Sequence, residues 1–506
     1  MKNVILKFIT TIGRIILHIL IWGLIPLNLF YMDINEWLAI ALTVLWIIAV
    51  NVIETTIFRK KEKKPKKVGR VLFVLLDLIT ILLLVVATEF NFYWNSLSFR
   101  TNVNWDIDSG NVDLTREQAL KDYDYALKYL KKIHPLTLHG LPDDVQAQAD
   151  KVKAELESVD SIKGYELAQK LESIFSLLED GHTHVEESYT EYHYMKHIYE
   201  HKSAGDTLIG INGVTFEEFL QENPGYVSYE VESYGVRMLK NRIGSLEGLR
   251  YLGIDTSGEI TYNYETKDGE LVDVTVTADD FLVYDEYIAY EESVTGEDLH
   301  SDDENYDFVR YEIDEEENFA VLTLDSCDYN QHYRDVVAEM FEEVHEKNIQ
   351  NIAVDLTNNS GGSSMVCDEF IHYLDVDKYS DWADEVRMGP LLKKRDASII
   401  ENKKKGYGFS GNVFVITSVT SYSSAMDFAM LIQDNGIGKV VGEASGNMPA
   451  SYGEISYFLL PESGLYMQIS SKKWHRVDQS KEGLQILPDI ECDPNNAVDV
   501  LKEMYD

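Results

Sequence analysis

The stretch TSYSSAMDFAMLIQDNG, residues 420–436, places Ser421, Ser423 and Ser424 at the mouth of an apolar helical run. Two chemistries fit it. Serine oxygens cap helices by accepting the free amide protons of the first turn. A serine at a strand-to-helix junction is also exposed near the positive end of the helix dipole, which favours a developing oxyanion, so it can serve as a nucleophile. A hydroxyl attacks well only when a base takes its proton. LLEDGHTHV, residues 177–185, offers His182 and His184 where a helical pattern gives way to a loop. His475 in SKKWHRVD is a rival base in a strand-like context, whereas His134 in KIHPL ends a helix before proline and reads as structural. DLTNNSGGSS, residues 355–364, follows an apolar strand. Its paired Gly361 and Gly362 allow close backbone approach and can turn amides toward an anion, although a plain tight turn has the same composition. VGEASGNMPASYGE, residues 441–454, is a third loop able to line a cleft.

The elements that must position these groups fall into three patterns. From 115 to 180 the period is helical: TREQALKDYDYALKYLKKIHP opens with a Thr-x-x-Gln capping box and stops at a proline, and KGYELAQKLESIFSLLED ends against Gly181. From 181 to about 315 the pattern predicts strands and turns. AGDTLIGINGVTFEEFL reads as strand, Asn-Gly turn and short helix, and EITYNYETKDGELVDVTVTA alternates about Asp-Gly as a hairpin does. The acidic run YEESVTGEDLHSDDENYD reads as an exposed loop. From 319 onward continuous apolar strands alternate with helices, which indicates an α/β layer with a mostly parallel core.

The first hundred residues differ in composition. Three apolar stretches, 15–32, 37–58 and 71–93, each have the length to cross a hydrocarbon core of about 30 Å. RKKEKKPKKVGR between the second and third holds eight basic residues and one acidic, and DINE between the first two holds no basic residue. Positive charge stays cytoplasmic, so the pattern predicts three transmembrane helices and an extracytoplasmic location for everything after about residue 99. Residues 1–100 carry 12 Lys/Arg and 6 Asp/Glu, against 33 and 80 in the other 406. So acidic a domain would repel nucleic acid and anionic headgroups and attract cationic substrates. The three cysteines, Cys327, Cys367 and Cys492, form neither a CxxC pair nor a Cys/His cluster, which argues against structural zinc. One pair could form a bridge.

Five ordered motifs carry a family resemblance. NIAVDLTNNSGGSS, VFVITSVTSYSSAMDFAMLIQDNGIGKVVGEASG and GLQILPDIECD resemble the core segments of the S41 peptidases, the tail-specific (carboxyl-terminal processing) and tricorn-core family. LEDGHTHV resembles the motif of the subgroup that uses histidine, and AGDTLIGINGVTFEEF is similar to the family's PDZ-like element. The resemblance covers roughly residues 115–495. It implies a multi-domain chain: a membrane domain over 1–100, a helical domain over 101–184, a degenerate PDZ-like β-rich region over 185–315, and an α/β catalytic core, ClpP/crotonase-like, over 316–506. It implies Ser423 as nucleophile, with backbone amides of Ser424 and of Gly361 or Gly362 as the oxyanion hole, and leaves Ser421 as a loop or cap residue. The lysine of the tail-specific branch falls at Met448, so no Ser-Lys dyad is expected. The histidine of the tricorn-like branch falls on His182 and its carboxylate on Glu482, with Asp478 the alternative. The implied activity is that of a membrane-anchored extracytoplasmic serine endopeptidase acting on peptide or protein chains, without metal or organic cofactor and without nucleic acid. A catalytically silent peptide-binding relative and a serine esterase are the competing expectations.

Overall fold

The computed structural model describes residues 107–296 and 307–505, together with isolated positions before residue 107. The expected spans 15–32, 37–58 and 71–93 lie almost wholly outside the described residues. Among the described residues no helix is long and apolar enough to cross a membrane, and the expectation of three transmembrane helices is corrected accordingly. Apolar composition supplies the length of a span. Crossing hydrocarbon also requires an unbroken helix of about 20 residues that satisfies its own backbone. The helix Arg116–Ile133 has 18 residues but is amphipathic.

Two compact units divide the chain: Met1–Val103 with Met388–Leu391, and Asn104–Arg387 with Leu392–Asp506. The second holds all the chemistry considered below. It begins with the helix Arg116–Ile133, whose amino end is closed by the reciprocal Thr115–Gln118 capping box. His134 turns extended before Pro135, as the ring of a following proline requires, and the helix ends there. The helices Asp143–Ser158 and Gly164–Phe175 pack on it through buried Leu130, Val152 and Leu171.

Residues 207–276 form a four-stranded antiparallel sheet in the order Val214–Thr215, Thr207–Ile211, Ile260–Glu265, Leu271–Val276. Both expected turns are there. Asn212 and Gly213 have positive φ, and Gly269 has φ +81°. The strand-and-turn expectation for 181–315 is incomplete, because the helices Glu232–Arg242, Leu246–Tyr251 and Tyr284–Thr295 also lie in it. These are short and weakly amphipathic, so no 3.6-residue period announces them. The acidic run begins inside the last of them, and its residues 297–306 lie outside those described.

The α/β core is a six-stranded sheet ordered Val309–Asp314, Phe319–Leu324, Asn351–Asp355, Asn412–Thr417, Lys439–Gly442, Ile490–Glu491. The first pair is antiparallel and the rest are parallel. Alternate residues supply two cores. Ile352, Val354, Val413 and Val415 face one, beneath the helices Gln331–Lys347, Met365–Ile371 and Ser424–Asp434. Ala353, Phe414 and Ile416 face the other, covered by Ala497 and Leu501 of the last helix. Burial on both faces is why these strands read as unbroken apolar runs. The helix Ser424–Asp434 is buried from Ser424 to Ile432, apolar there except at Ser424 and Asp427. A second sheet packs Tyr452–Leu459 and His184–Glu186 on either side of Tyr466–Trp474. All three cysteines are free.

The carboxyl end of the Ser424–Asp434 helix is tied to the chain after residue 474 by a buried ion pair. Arg476 donates from Nε and Nη2 to the two oxygens of Asp434, each at 2.9 Å, and Nη1 donates to Leu484 O. Both side chains are almost fully buried. Removing one partner leaves the other charge desolvated, so Asp434→Ala is expected to lower stability by about 3–5 kcal/mol. Urea denaturation of the variant against the parent measures this, and a loss below about 1 kcal/mol would contradict the assignment.

Candidate active site

Two neighbouring parallel strands set the site. Asn351–Asp355 and Asn412–Thr417 pair Ile352 with Val413 and Asp355 with Ile416, so the loops at their carboxyl ends emerge side by side, where open sheets place ligands. The first loop carries Gly361 and Gly362, and the second carries Ser423. Asn359, fully buried, joins them. Its Nδ2 donates to Leu324 O at 2.8 Å, its Oδ1 accepts from Gly361 N at 2.8 Å, and its carbonyl accepts from Tyr422 N at 3.1 Å.

Ser423 adopts φ +56°, ψ −123°. A non-glycine residue rarely occupies this region, and such a strained elbow costs on the order of 1–3 kcal/mol. It is held there by Ser423 N donating to Asn447 Oδ1 at 2.8 Å and by Asp427 N donating to Ser423 O at 2.9 Å. The neighbouring serines are engaged elsewhere. Ser421 Oγ donates to Leu356 O at 2.7 Å and accepts from Ser418 N at 2.9 Å, and Ser424 Oγ donates to Gly362 O at 2.9 Å.

Gly361 and Gly362 have φ of +108° and +137°, and a Cβ on Gly361 would lie 2.7 Å from Ser423 Cβ. Cys327 pins this loop through its amide to Gly361 O at 2.9 Å and its carbonyl to Ser363 N at 2.8 Å. The Gly361 amide is committed to Asn359, whereas among the described residues the amides of Gly362 and Ser424 take no acceptor.

His182 and His184 reach the same cleft from the turn 179–183. This cleft, about 710 Å³, is lined by His182, His184, Gly361, Gly362, Ser423 and Ser424 among others. Glu179 takes the left-handed conformation that ends the preceding helical turn. The turn is stitched to the strand Tyr466–Trp474, since Gln468 Nε2 donates to His182 O at 2.8 Å and Ser470 N to Thr183 Oγ1 at 2.9 Å. His182 is 6 % exposed, and neither ring nitrogen has a hydrogen-bond partner. Burial lowers its pKa below the ordinary 6.5, with the Asp180 charge opposing, so the ring is a neutral imidazole near neutral pH. His184 Nδ1 instead approaches Gly181 O at 3.3 Å and Nε2 approaches Glu186 at 3.6 Å.

Two acids flank His182. Asp180, fully buried, stands 3.8 Å from its Nδ1. Asp180 also accepts from His182 N at 2.9 Å, from Thr183 Oγ1 at 2.5 Å and from His134 Nε2 at 3.2 Å. Leu136 N donates to His134 Nδ1, so the proton of that ring sits on Nε2, facing Asp180. Burial raises the Asp180 pKa, but the hydrogen bond from His134, with that from Thr183, outweighs it and holds the carboxyl at about 2. Glu230 is the opposite case. Burial, reinforced by Asp180, raises its pKa well above the ordinary value against the pull of the Met448 amide, which donates to Oε2 at 2.8 Å. One donor atom each from Asp180, His182 and Glu230 lies within 4.8 Å of the others, the spacing of a metal seat. The donor set suits a cation poorly, because Asp180 already accepts three hydrogen bonds and burial disfavours the ionised form of Glu230.

Glu482, expected to orient His182, stands elsewhere, and so does Asp478. Glu482 accepts from His475 Nδ1 at 2.8 Å and from Arg476 N at 2.9 Å, and it lines a separate hollow with Asp384, Lys394 and His475. Asp478 caps the short turn Gln479–Lys481. The Arg476–Asp434 pair fixes this segment to the far end of the Ser424–Asp434 helix, and that anchorage is why neither carboxylate joins Ser423. Asp180 lies two positions before His182, inside LEDGHTHV, so adjacency could have nominated it. Glu230, in VSYEVESYG, carries no motif that sequence could single out.

Gly181 tests the packing of the turn. A Cβ there would meet Tyr422 Oη at 2.2 Å, and the Tyr422 ring lies 4.8 Å from that of His182. Gly181→Ala is expected to displace His182 and slow active-serine labelling by about a hundredfold, the cost of a misplacement near 1 Å. Adding Tyr422→Phe removes the clashing oxygen and should restore most of the rate. A double variant no faster than the single one contradicts this geometry.

Comparison with known proteins places this arrangement. Residues 318–492 match the model of peptidase family S41. No curated protein is similar enough in sequence to match the chain. Among solved structures, mature CPAF complexed with lactacystin is similar with TM-score 0.55 at 13% identity, covering 77% of this chain and 98% of that one. Mature CPAF in a separate structure gives 0.53 at 13%, covering 77% and 95%. The photosystem II D1 C-terminal processing protease is more distant, at 0.42 and 11%, covering 77% and 97%. At these identities the likeness is one of fold. Residues 318–492 are similar to peptidase family S41, and the chain is an enzyme of the serine peptidase class.

Proposed function

We propose that the chain is an endopeptidase that cleaves through an acyl-enzyme on Ser423, with His182 as general base. The observation that carries this reading is the shared cleft. Ser423 sits there in a strained elbow, and the buried imidazole of His182, whose ring nitrogens take no hydrogen bond, lines the same cleft. His182 takes the Ser423 proton as Oγ attacks the scissile carbonyl carbon. The oxyanion forms toward the amides of Gly362 and Ser424, and ionised Asp180 steadies the imidazolium at 3.8 Å. His182 then gives its proton to the leaving amine. Water, deprotonated by the same ring, releases the acyl group.

A fluorophosphonate probe on the folded protein tests the nucleophile. Labelling is expected to vanish in Ser423→Ala and persist in Ser421→Ala, which keeps the reactive hydroxyl. A folded wild type that takes no label favours the catalytically silent relative, and labelling with ester but no peptide cleavage favours an esterase. The base has its own signature. Because burial lowers the His182 pKa, the ring stays unprotonated as pH falls to 6.5 and charges only below it. The acid limb of kcat/KM is therefore expected below pH 6.5, and a limb above 7 would exclude His182 as the titrating base.

A further inference from the structure

Asp427 has no part in the chemistry above, yet it lies one helical turn beyond Ser423 and lines the same cleft. It is 6 % exposed. Its amide is used, donating to Ser423 O, but among the described residues its carboxylate takes no hydrogen bond and no ion pair within 4 Å. Lys472 exerts a favourable field on it. That ammonium is held 3.6 Å from Asp384 and 3.6 Å above the Trp474 ring. Among the described residues no Lys or Arg lines the cleft, whose other acid is Glu454, and Ile455, Tyr457 and Trp474 give it apolar walls.

We propose that Asp427 forms a subsite for the cationic side chain, lysine or arginine, of a substrate residue flanking the scissile bond. The inference rests on the Ser423 peptidase reading and names its substrate class. A long basic side chain suits the place twice over, because its alkyl stem lies along apolar walls while its head reaches the acid. An unpartnered carboxylate buried in a cleft is a costly arrangement that a charge-assisted pair relieves. Burial, with Asp381 adding and Lys472 opposing, pushes this carboxyl up to about 7, so it readily holds a proton when alone. That matters for catalysis. A bare anion one turn from the Gly362 and Ser424 amides would oppose the oxyanion forming there, and a substrate cation cancels it. Basic side chains would thus gain in turnover as well as in binding. The strongly acidic balance of residues 101–506 draws such chains in from a distance.

The test uses matched quenched peptides that differ only in Lys, norleucine or Glu beside the cleaved bond. Wild type is expected to prefer Lys over norleucine by at least about tenfold in kcat/KM, and Asp427→Asn to bring that ratio near one. Because the variant could fold poorly, benzamidine is also tested on the wild type. It should slow fluorophosphonate labelling of Ser423, whereas isosteric benzamide should not. A wild type that labels and cleaves but shows no basic preference, or no protection by benzamidine, overturns the subsite and leaves the peptidase reading standing. No labelling and no cleavage overturns both.

Discussion

The site depends on one close approach, that of the Gly361 backbone against Ser423. No side chain fits at position 361, since its Cβ would stand 2.7 Å from Ser423 Cβ and 2.8 Å from Tyr422 O. Adjacent parallel strands bring the two loops together. Asn359 locks them by bonding Leu324, Gly361 and Tyr422 at once, and Ser424 Oγ closes the contact on Gly362 O. Each bond spends a polar group, which leaves the amides of Gly362 and Ser424. On the proposed reading such a pocket is pre-organised, because donors fixed before any charge develops need no reorganisation when it does.

A second constraint is the division of protons among buried groups. Three ionisable side chains within 4.8 Å cannot all be charged at low dielectric. His134 decides the outcome. Its Nε2–H stabilises Asp180 as the anion, and burial, reinforced by the field of that anion, pushes the Glu230 pKa well up. On the proposed reading this sets ionised Asp180 beside a neutral imidazole, the state a proton acceptor requires. His134 therefore acts through Asp180, which explains a fully buried histidine far from Ser423 in sequence.

Much of this was legible in the sequence where a local rule is strong. The Thr115 capping box, the Asn212-Gly213 turn and the apolar strands of the core follow from propensity and period, and the glycine pair and serine cluster marked the cleft loops. The carboxylates were not legible. Glu482 matched a motif by spacing, but spacing cannot register that Arg476 and Asp434 hold its segment at the other end of a helix. Glu230 comes within 4.8 Å of His182 across some fifty residues of chain, and no short-range pattern encodes that return.

The segment SGNMPAS illustrates how one position can serve two designs. In the branch of the resemblance that uses lysine, position 448 would carry the base. Here Met448 offers only its amide, and that amide holds Glu230 Oε2, while the preceding Asn447 holds Ser423 N. A single turn of chain thus holds both Ser423 and Glu230 through hydrogen bonds. On the proposed reading, in which His182 is the base, an ammonium near Glu230 would favour its ionised form, place a second anion near Asp180 and raise the affinity of His182 for a proton. A thioether adds no such charge, so a methionine at 448 is consistent with histidine as the base.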